Sequence, residues 1–141
     1  MNKTINNDEI ERYSRQIVLK DVGIVGQKKI INSKILVVGA GGLGCPVIDI
    51  LTRSGAKNIT IADNDKVSLS NLHRQTMYDT FDIGKFKVDV VKKKIKKINP
   101  SSKIKIIKKR ISNTNLSKII NKFDILVDGS DNFKTKFLLN D

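Results

Sequence analysis

Apolar residues along this chain occur in short β-branched runs that alternate with amphipathic stretches, a pattern typical of an α/β fold. Four of these runs predict β-strands, at residues 35–38, 59–62, 103–110 and, as a buried fourth strand, 123–127. Apolar positions at helical spacing predict helices between and after them, at residues 46–53, 84–98, 115–122 and from about 133 onward. Strands that alternate with helices favour a parallel sheet flanked by helices.

An amphipathic segment precedes the first strand. Ile10, Tyr13 and Ile17 share one face of a predicted helix whose N-cap is Asn7 or Asp8. We therefore divide the chain into an N-terminal helical segment, residues 1–33, and an α/β domain, residues 34–141. An open α/β sheet with a full ligand cleft usually needs more residues than the 141 of this chain, so we expect the domain to be incomplete at its C-terminus.

A glycine-rich turn joins the first strand to the next helix. Gly39, Gly41 and Gly44 fit the pattern G-x-G-x-x-G, in which glycine permits a tight turn, the approach of a phosphate and close helix packing. The N-terminus of the helix then offers unpaired N–H groups to a phosphate. Asp63, at the end of the second strand, can accept hydrogen bonds from a ribose. Together these features predict a Rossmann-like nucleotide-binding domain; the alternative is a glycine turn that serves packing alone.

Further polar residues follow the strands at the carboxyl edge of the sheet, where open α/β folds bind ligands. Arg74 and Lys87 carry positive charges suited to phosphate oxygens, and Asn71 carries an amide suited to ribose or phosphate. Asp131 follows the fourth strand, and its carboxylate suits Mg²⁺, which usually shares oxygen ligands with substrate phosphates. Two alternatives stay open: the loop of Asn71 and Arg74 is merely solvated, and Asp131 or Asn132 only caps the next helix.

Composition narrows the function without defining it. The chain has 27 basic and 14 acidic residues, a formal charge of +13, but we expect no nucleic-acid partner because aromatic residues do not interleave the basic runs. The single cysteine, Cys45, rules out an intrachain disulfide or a cysteine-rich zinc site within these residues, and we predict that it is packed in the core. We expect a cytoplasmic protein with no membrane partner, because no apolar run reaches a membrane span and no signal-peptide core is present.

A series of motifs in this order resembles the ThiF/MoeB-type adenylyltransferases, which are relatives of the ubiquitin-activating enzymes. The resemblance runs from about residue 8 to the end of the chain. The motif SNLHRQ after an acid-tipped strand is more specific than the glycine turn. The matching motifs are RYSRQ (12–16), the GQ that ends the stretch 23–27, GAGGLG (39–44), DND (63–65), SNLHRQ (70–75), GKFK (84–87), NP (99–100) and DGSDN (128–132).

The resemblance implies an ATP site. It assigns nucleotide binding to Gly39, Gly41, Gly42, Gly44, Asp63, Ser70, Asn71, Leu72, His73, Arg74, Lys87, Asp131 and Asn132. Within this set, Asp63 holds the ribose, Arg74 and Lys87 hold the phosphates, and Asp131 holds Mg²⁺. The implied catalytic residues are Arg74, Lys87, Asp131 and Arg15, the last of which reaches into the partner subunit's ATP site in a homodimer.

The implied reaction is the ATP-dependent adenylation of the C-terminal glycine carboxylate of a small ubiquitin-like sulfur-carrier protein, with release of pyrophosphate. Such enzymes serve thiamine or molybdopterin synthesis. Members of the family also carry paired CxxC motifs for structural Zn²⁺ and often a sulfur-transfer cysteine, which here are possible only through residues beyond Asp141. The alternatives are a tRNA-modifying ATP-dependent dehydratase of the same family, an NAD-dependent oxidoreductase, and a catalytically silent scaffold subunit.

Overall fold

The computed structural model of the protein describes residues 4–140. Its helices and strands, in chain order, are α1 (Asn7–Arg12), α2 (Ser14–Ile17), α3 (Gly23–Asn32), β1 (Lys34–Val38), α4 (Gly44–Arg53), β2 (Asn58–Ala62), α5 (Lys87–Ile98), β3 (Lys103–Ile107), α6 (Asn113–Leu116), β4 (Ile125–Asp128) and α7 (Phe133–Asn140). Short 3₁₀ turns lie at Leu69–Asn71, Thr80–Asp82 and Ile120–Lys122.

The described strands form one parallel sheet in the order β3-β2-β1-β4. The chain moves outward from β1 to β2 and β3, and then crosses back to place β4 on the other side of β1. The strand order therefore reverses between β1 and β4, and open α/β sheets bind ligands outside the carboxyl ends of the strands at such a point. The predicted Rossmann-like parallel sheet is confirmed.

Helices cover both faces of the sheet. On one face the strands pack against α4 and α5, in a cluster that includes Ile35, Ile48, Ile59 and Val91. On the other face they pack against α6 and α7, in a cluster that includes Leu36, Val38, Leu116 and Leu138. Because β1 is buried on both faces, its sequence is a continuous apolar run rather than an alternating one.

Buried polar side chains tie the N-terminal helices to the sheet domain. The amide of Asn99 donates to the hydroxyl of Tyr13 at 2.9 Å, and Tyr13 is only 1% exposed. The amide of Gln16 donates to Oε1 of Gln27 at 2.7 Å, and both glutamines donate to the carbonyl of Ser54. Several residues of the RYSRQ, GQ and NP motifs therefore connect elements of the fold. The division of the chain at residue 33 stays a prediction.

The first helix begins one residue earlier than predicted. Its N-cap is Asn6, not Asn7 or Asp8. The side chain of Asn6 accepts from the backbone N–H of Glu9 at 2.9 Å, and the carboxylate of Glu9 accepts from the N–H of Asn6. This reciprocal capping box satisfies two N–H groups that the helix itself leaves unpaired, and it sets the start of the helix.

The third and fourth strands differ from the predictions. The third ends at Ile107, opposite the end of β2, and not at Arg110, because the partner strand stops there. The fourth runs from Ile125 to Asp128 instead of 123–127. The fourth strand is also not fully buried, as the 47% exposure of Ile125 shows. The reason is that β4 is the outer strand of the described sheet. The helix predicted at 115–122 is instead α6 followed by a 3₁₀ turn.

Two further features bear on the compositional expectations. Cys45 is fully buried, as predicted, and its thiol lies 3.4 Å from the carbonyl oxygen of Ala40. Burial raises the pKa of the Cys45 thiol, which keeps it protonated and unreactive. Within residues 4–140, no helix is both long enough and apolar enough to cross a membrane.

Candidate functional site

Some glycines of the turn make close backbone contacts, and some line an open surface. Gly39 has φ +94°, and a Cβ there would lie 2.6 Å from the carbonyl oxygen of Gly129 in the loop after β4. A Cβ on Gly44 would lie only 1.9 Å from the carbonyl oxygen of Gly39. Packing therefore requires glycine at both positions, and Gly39 also lines an open cavity. Gly41 and Gly42 line the same cavity, and a Cβ on either would lie at least 3.5 Å from any neighbouring atom.

Asp63 fixes the turn to the end of β2. One carboxylate oxygen accepts the backbone N–H of Ala40 at 2.8 Å, and the other accepts the backbone N–H of Asp65 at 2.7 Å. The half-buried carboxylate still lines the cavity. Each oxygen has a second lone pair, so Asp63 can also accept from a ligand hydroxyl.

A cavity of about 620 Å³ lies at the carboxyl edge of the sheet. Its volume is in the usual range for a small-molecule site. The cavity brings together eight of the residues assigned by sequence, from five separate stretches of chain: Gly39, Gly41, Gly42, Asp63, Arg74, Lys87, Asp131 and Asn132.

The two cations predicted from the sequence, Lys87 and Arg74, line this cavity in different ways. Lys87 is 5% exposed, and its ammonium lies 3.4 Å from the carboxylate of Asp65, which is mostly exposed. Arg74 is exposed, donates to the carbonyl of Ser70 at 3.3 Å and lies beside Gly42. The buried ammonium of Lys87 and the exposed, flexible guanidinium of Arg74 can both donate to an anionic ligand that has several oxygens.

The residues after β4 have separate roles. Asn132 accepts the backbone N–H of Thr135 at 2.8 Å, so it caps α7, and it also lines the cavity, so capping is not its only position-dependent contact. Asp131 is exposed and lines the cavity. In the part of the chain that the structure describes, no group of three His, Cys, Asp or Glu residues could hold a metal. A cation here would need oxygen ligands from a substrate in addition to Asp131.

Other assigned residues do not line the cavity: Arg15, Gly44, Ser70, Asn71, Leu72 and His73. The side chain of Asn71 accepts from Ser68 at 2.8 Å, and the ring of His73 lies 3.1 Å from the carbonyl of Ser70. These contacts shape the turn that carries Arg74. Arg15 is exposed on α2.

The structure adds cavity residues that the sequence did not indicate. Lys109 and Arg110 line it because β3 ends at Ile107, whereas the predicted strand extended over both. A strand boundary placed three residues earlier would have put them at the carboxyl edge. Gln75 also lines the cavity. It closes the SNLHRQ motif, but its position beside an arginine gave no sign that its side chain turns inward.

Asp128, at the end of β4, holds the loop that follows this strand and lines the cavity. Its carboxylate accepts from the backbone N–H and the hydroxyl of Ser130, and Lys136 lies 3.5 Å away. Burial alone would raise the pKa of Asp128, but the hydrogen bonds from Ser130 and the charge of Lys136 outweigh it and leave the pKa below its usual value.

We expect Asp128→Asn to lower stability in a pH-dependent way. A carboxyl whose pKa is depressed in the folded state contributes stability above its unfolded pKa of about 3.9, and this contribution is lost as pH falls through the folded pKa. The difference in Tm between wild type and Asp128→Asn should therefore be largest near neutral pH and shrink below about pH 4. Thermal melts over this range measure it. A difference that stays constant with pH would contradict the assignment.

The sheet order, the glycine turn and the acid-tipped β2 together define a Rossmann-like α/β domain with its ligand site at the switch between β1 and β4. A sequence model of the ThiF family matches residues 13–141. The chain belongs to the ThiF family, which confirms the resemblance drawn from the motifs.

Curated relatives agree with this membership. The chain is 42% identical over 138 residues to the adenylyltransferase and sulfurtransferase MOCS3 of Drosophila virilis, and it covers 30% of that protein. It is 40% identical over 134 residues to the sulfur carrier protein adenylyltransferase of Thermus thermophilus, and it covers 49% of that protein. The matches span 98% and 95% of this chain. The chain thus spans half or less of the length of these relatives.

Solved structures share the fold. One titled TcdA (CsdL) has a TM-score of 0.89 at 25% identity, over 96% of this chain and 53% of that one. The structure of E. coli MccB with ATP has a TM-score of 0.80 at 32% identity, over 97% of this chain and 41% of that one.

Proposed function

We propose that this protein activates a carboxylate by adenylation: it transfers the AMP part of ATP to the C-terminal glycine of a small ubiquitin-like sulfur-carrier protein and releases pyrophosphate. The observation that supports this most directly is the convergence of Arg74, Lys87 and Asp131 on the cavity beside the glycine turn. These residues are far apart in the sequence, and a polyphosphate substrate with its Mg²⁺ gives a common use to all three.

The chemistry needs no base from the protein. The carboxylate of the carrier is already ionised at neutral pH, so one of its oxygens can attack the α-phosphorus of ATP directly. A bond forms between that oxygen and the phosphorus, and the bond from the α-phosphorus to the oxygen bridging it to the β-phosphorus breaks. The electron pair leaves with pyrophosphate. The protein must align the two reactants and stabilise negative charge, which are the tasks that fixed cations perform.

In this proposal the cavity residues assigned from the sequence have defined tasks. Asp63 accepts from the ribose hydroxyls while it keeps the turn in place. Gly41 and Gly42 let the phosphates approach the backbone. Arg74 and Lys87 bind the phosphate oxygens and stabilise the departing pyrophosphate.

Asp131 would hold Mg²⁺ together with the phosphates, because it is a carboxylate on the cavity wall and a hard cation prefers oxygen ligands. When bound, the ion neutralises part of the triphosphate charge. Arg15 has a task only in a homodimer. It does not line the cavity of its own chain. We keep the role that the family resemblance implies for it, in the partner subunit's site.

The relatives favour a carrier protein as the acceptor. At 40% identity, the Thermus thermophilus relative is a sulfur carrier protein adenylyltransferase. A second candidate, a tRNA-modifying dehydratase, has the fold likeness to TcdA in its favour, at 25% identity. An NAD-dependent oxidoreductase would use Asp63 and the glycine turn but gives no task to Asp131.

ATP–pyrophosphate exchange with purified full-length protein tests the proposal. We expect exchange that depends on a sulfur-carrier protein ending in glycine, and no exchange with a carrier that lacks the terminal glycine. Binding of ATP without exchange for any carrier would contradict carrier adenylation. Exchange driven by N6-threonylcarbamoyladenosine in tRNA instead would support the dehydratase.

A further inference from the structure

Gln75 is a buried amide in the wall of the cavity. The residue is 4% exposed, yet it is among those that line the cavity. Its side-chain nitrogen Nε2 lies 3.5 Å from the point that a Cβ on Gly41 would occupy. The amide group therefore lies at the part of the glycine turn that faces the open space.

The amide oxygen of Gln75 is not satisfied by the protein. Within the described chain, Oε1 is buried and has no hydrogen-bond partner. Leaving such a group unpaired is costly, and native proteins rarely do so without a reason. Gln27, which is also buried, differs in this respect, since its oxygen accepts from Gln16 and its nitrogen donates to the carbonyl of Ser54.

We propose that Gln75 is a further substrate-contacting residue, whose amide N–H donates to a phosphate oxygen of the ATP that lies beside Gly41. This inference rests on the proposed function. Packing already fixes most of the side chain, so little conformational freedom remains to be lost on binding. The Nε2 end of the amide already faces the turn, so it can donate there without a change of rotamer. Oε1 stays unpaired when Nε2 donates, so Gln75 destabilises the ligand-free fold, as residues of functional sites often do. Gln75 is a neutral donor, so its directional hydrogen bond would orient the phosphate that Arg74 and Lys87 attract by charge.

Gln75→Met is the informative substitution. It keeps the length of the side chain but removes the donor and the unpaired oxygen. Losing a hydrogen bond to a charged group should weaken Mg-ATP binding about 10- to 100-fold. The Tm of the ligand-free protein should stay the same or rise, because an unpaired buried oxygen is removed. If Gln75 had only a structural role, the substitution would lower the Tm and leave Mg-ATP binding unchanged.

Ser102→Ala is the matched control. The hydroxyl of Ser102 is the other buried side-chain group without a partner in the described chain, and Ser102 does not line the cavity. Its removal should affect Tm in the same direction and leave Mg-ATP binding unchanged.

Isothermal titration calorimetry with Mg-ATP, together with thermal melts of the ligand-free proteins, separates the outcomes. If wild type binds and Gln75→Met binds weakly with an unchanged or higher Tm, the inference holds. If wild type and Gln75→Met bind equally, the inference is wrong and the proposed function stands. If wild type does not bind Mg-ATP, both fail.

Gln75→Glu keeps the test decisive if the methionine variant does not fold. Glutamate has almost the same shape as glutamine but places a negative charge at the turn. We expect it to weaken Mg-ATP binding more than methionine does, because like charges repel. Binding equal to that of wild type would overturn the inference.

Discussion

Replacing Lys87 with methionine should lower the rate of carrier-dependent ATP–pyrophosphate exchange by about 10²–10³-fold, the usual cost of losing one positioned electrostatic group. The ammonium of Lys87 is almost fully buried, and its partner in the cavity, Asp65, is largely exposed to solvent. Such a charge interacts strongly with an anion that enters the cavity, because little water screens it there. Methionine keeps most of the buried stem, so the fold should be retained.

Lys92→Ala is the matched control for Lys87→Met. Lys92 lies on the same helix, is exposed and does not line the cavity. Its exchange rate should equal that of wild type. An unchanged exchange rate and an unchanged Tm for Lys87→Met would show that Lys87 does not act in the site.

Gly44→Ala should cost more stability than any other single methyl group added to the turn. The new Cβ would lie 1.9 Å from the carbonyl oxygen of Gly39, which is backbone and cannot move aside as a side-chain end can. Overpacking of a tight core typically costs about 1–3 kcal/mol, and this contact belongs at or above the upper end. We expect a fall in Tm of roughly 10 °C or more, measured by circular dichroism.

Gly41→Ala provides the contrast within the same turn. A Cβ there would meet nothing closer than the amide of Gln75 at 3.5 Å, which is ordinary contact. The variant should therefore fold with a Tm near that of wild type, while its methyl group narrows the cavity and weakens Mg-ATP binding. Equal Tm values for Gly44→Ala and Gly41→Ala would contradict the separation of packing from ligand approach.

Local sequence patterns were enough to predict the sheet and to place four candidate residues at one edge of it. The apolar runs and the glycine turn are local signals. The rule that parallel strands end at one edge then predicted that Asp63, Arg74, Lys87 and Asp131 lie close together. The structure agrees because β1 is flanked by β2 and β4 and their carboxyl ends lie side by side.

Side-chain direction and strand ends could not be predicted in the same way. The SNLHRQ stretch contains several polar side chains, and a 3₁₀ turn directs Arg74 and Gln75 to the cavity and Asn71 to Ser68. Arg110 reaches the cavity only because β3 ends where β2 ends. Both features depend on tertiary pairing, which a local pattern does not contain.

The crystal structure of the full-length protein with a non-hydrolysable α,β-methylene analogue of ATP tests the central claim most directly. We expect the triphosphate beside Gly41 and Gly42, with Arg74 and Lys87 within hydrogen-bond distance of its oxygens and the ribose at Asp63. A nucleotide bound elsewhere, or bound in this cavity with its phosphates directed away from both cations, would contradict the account.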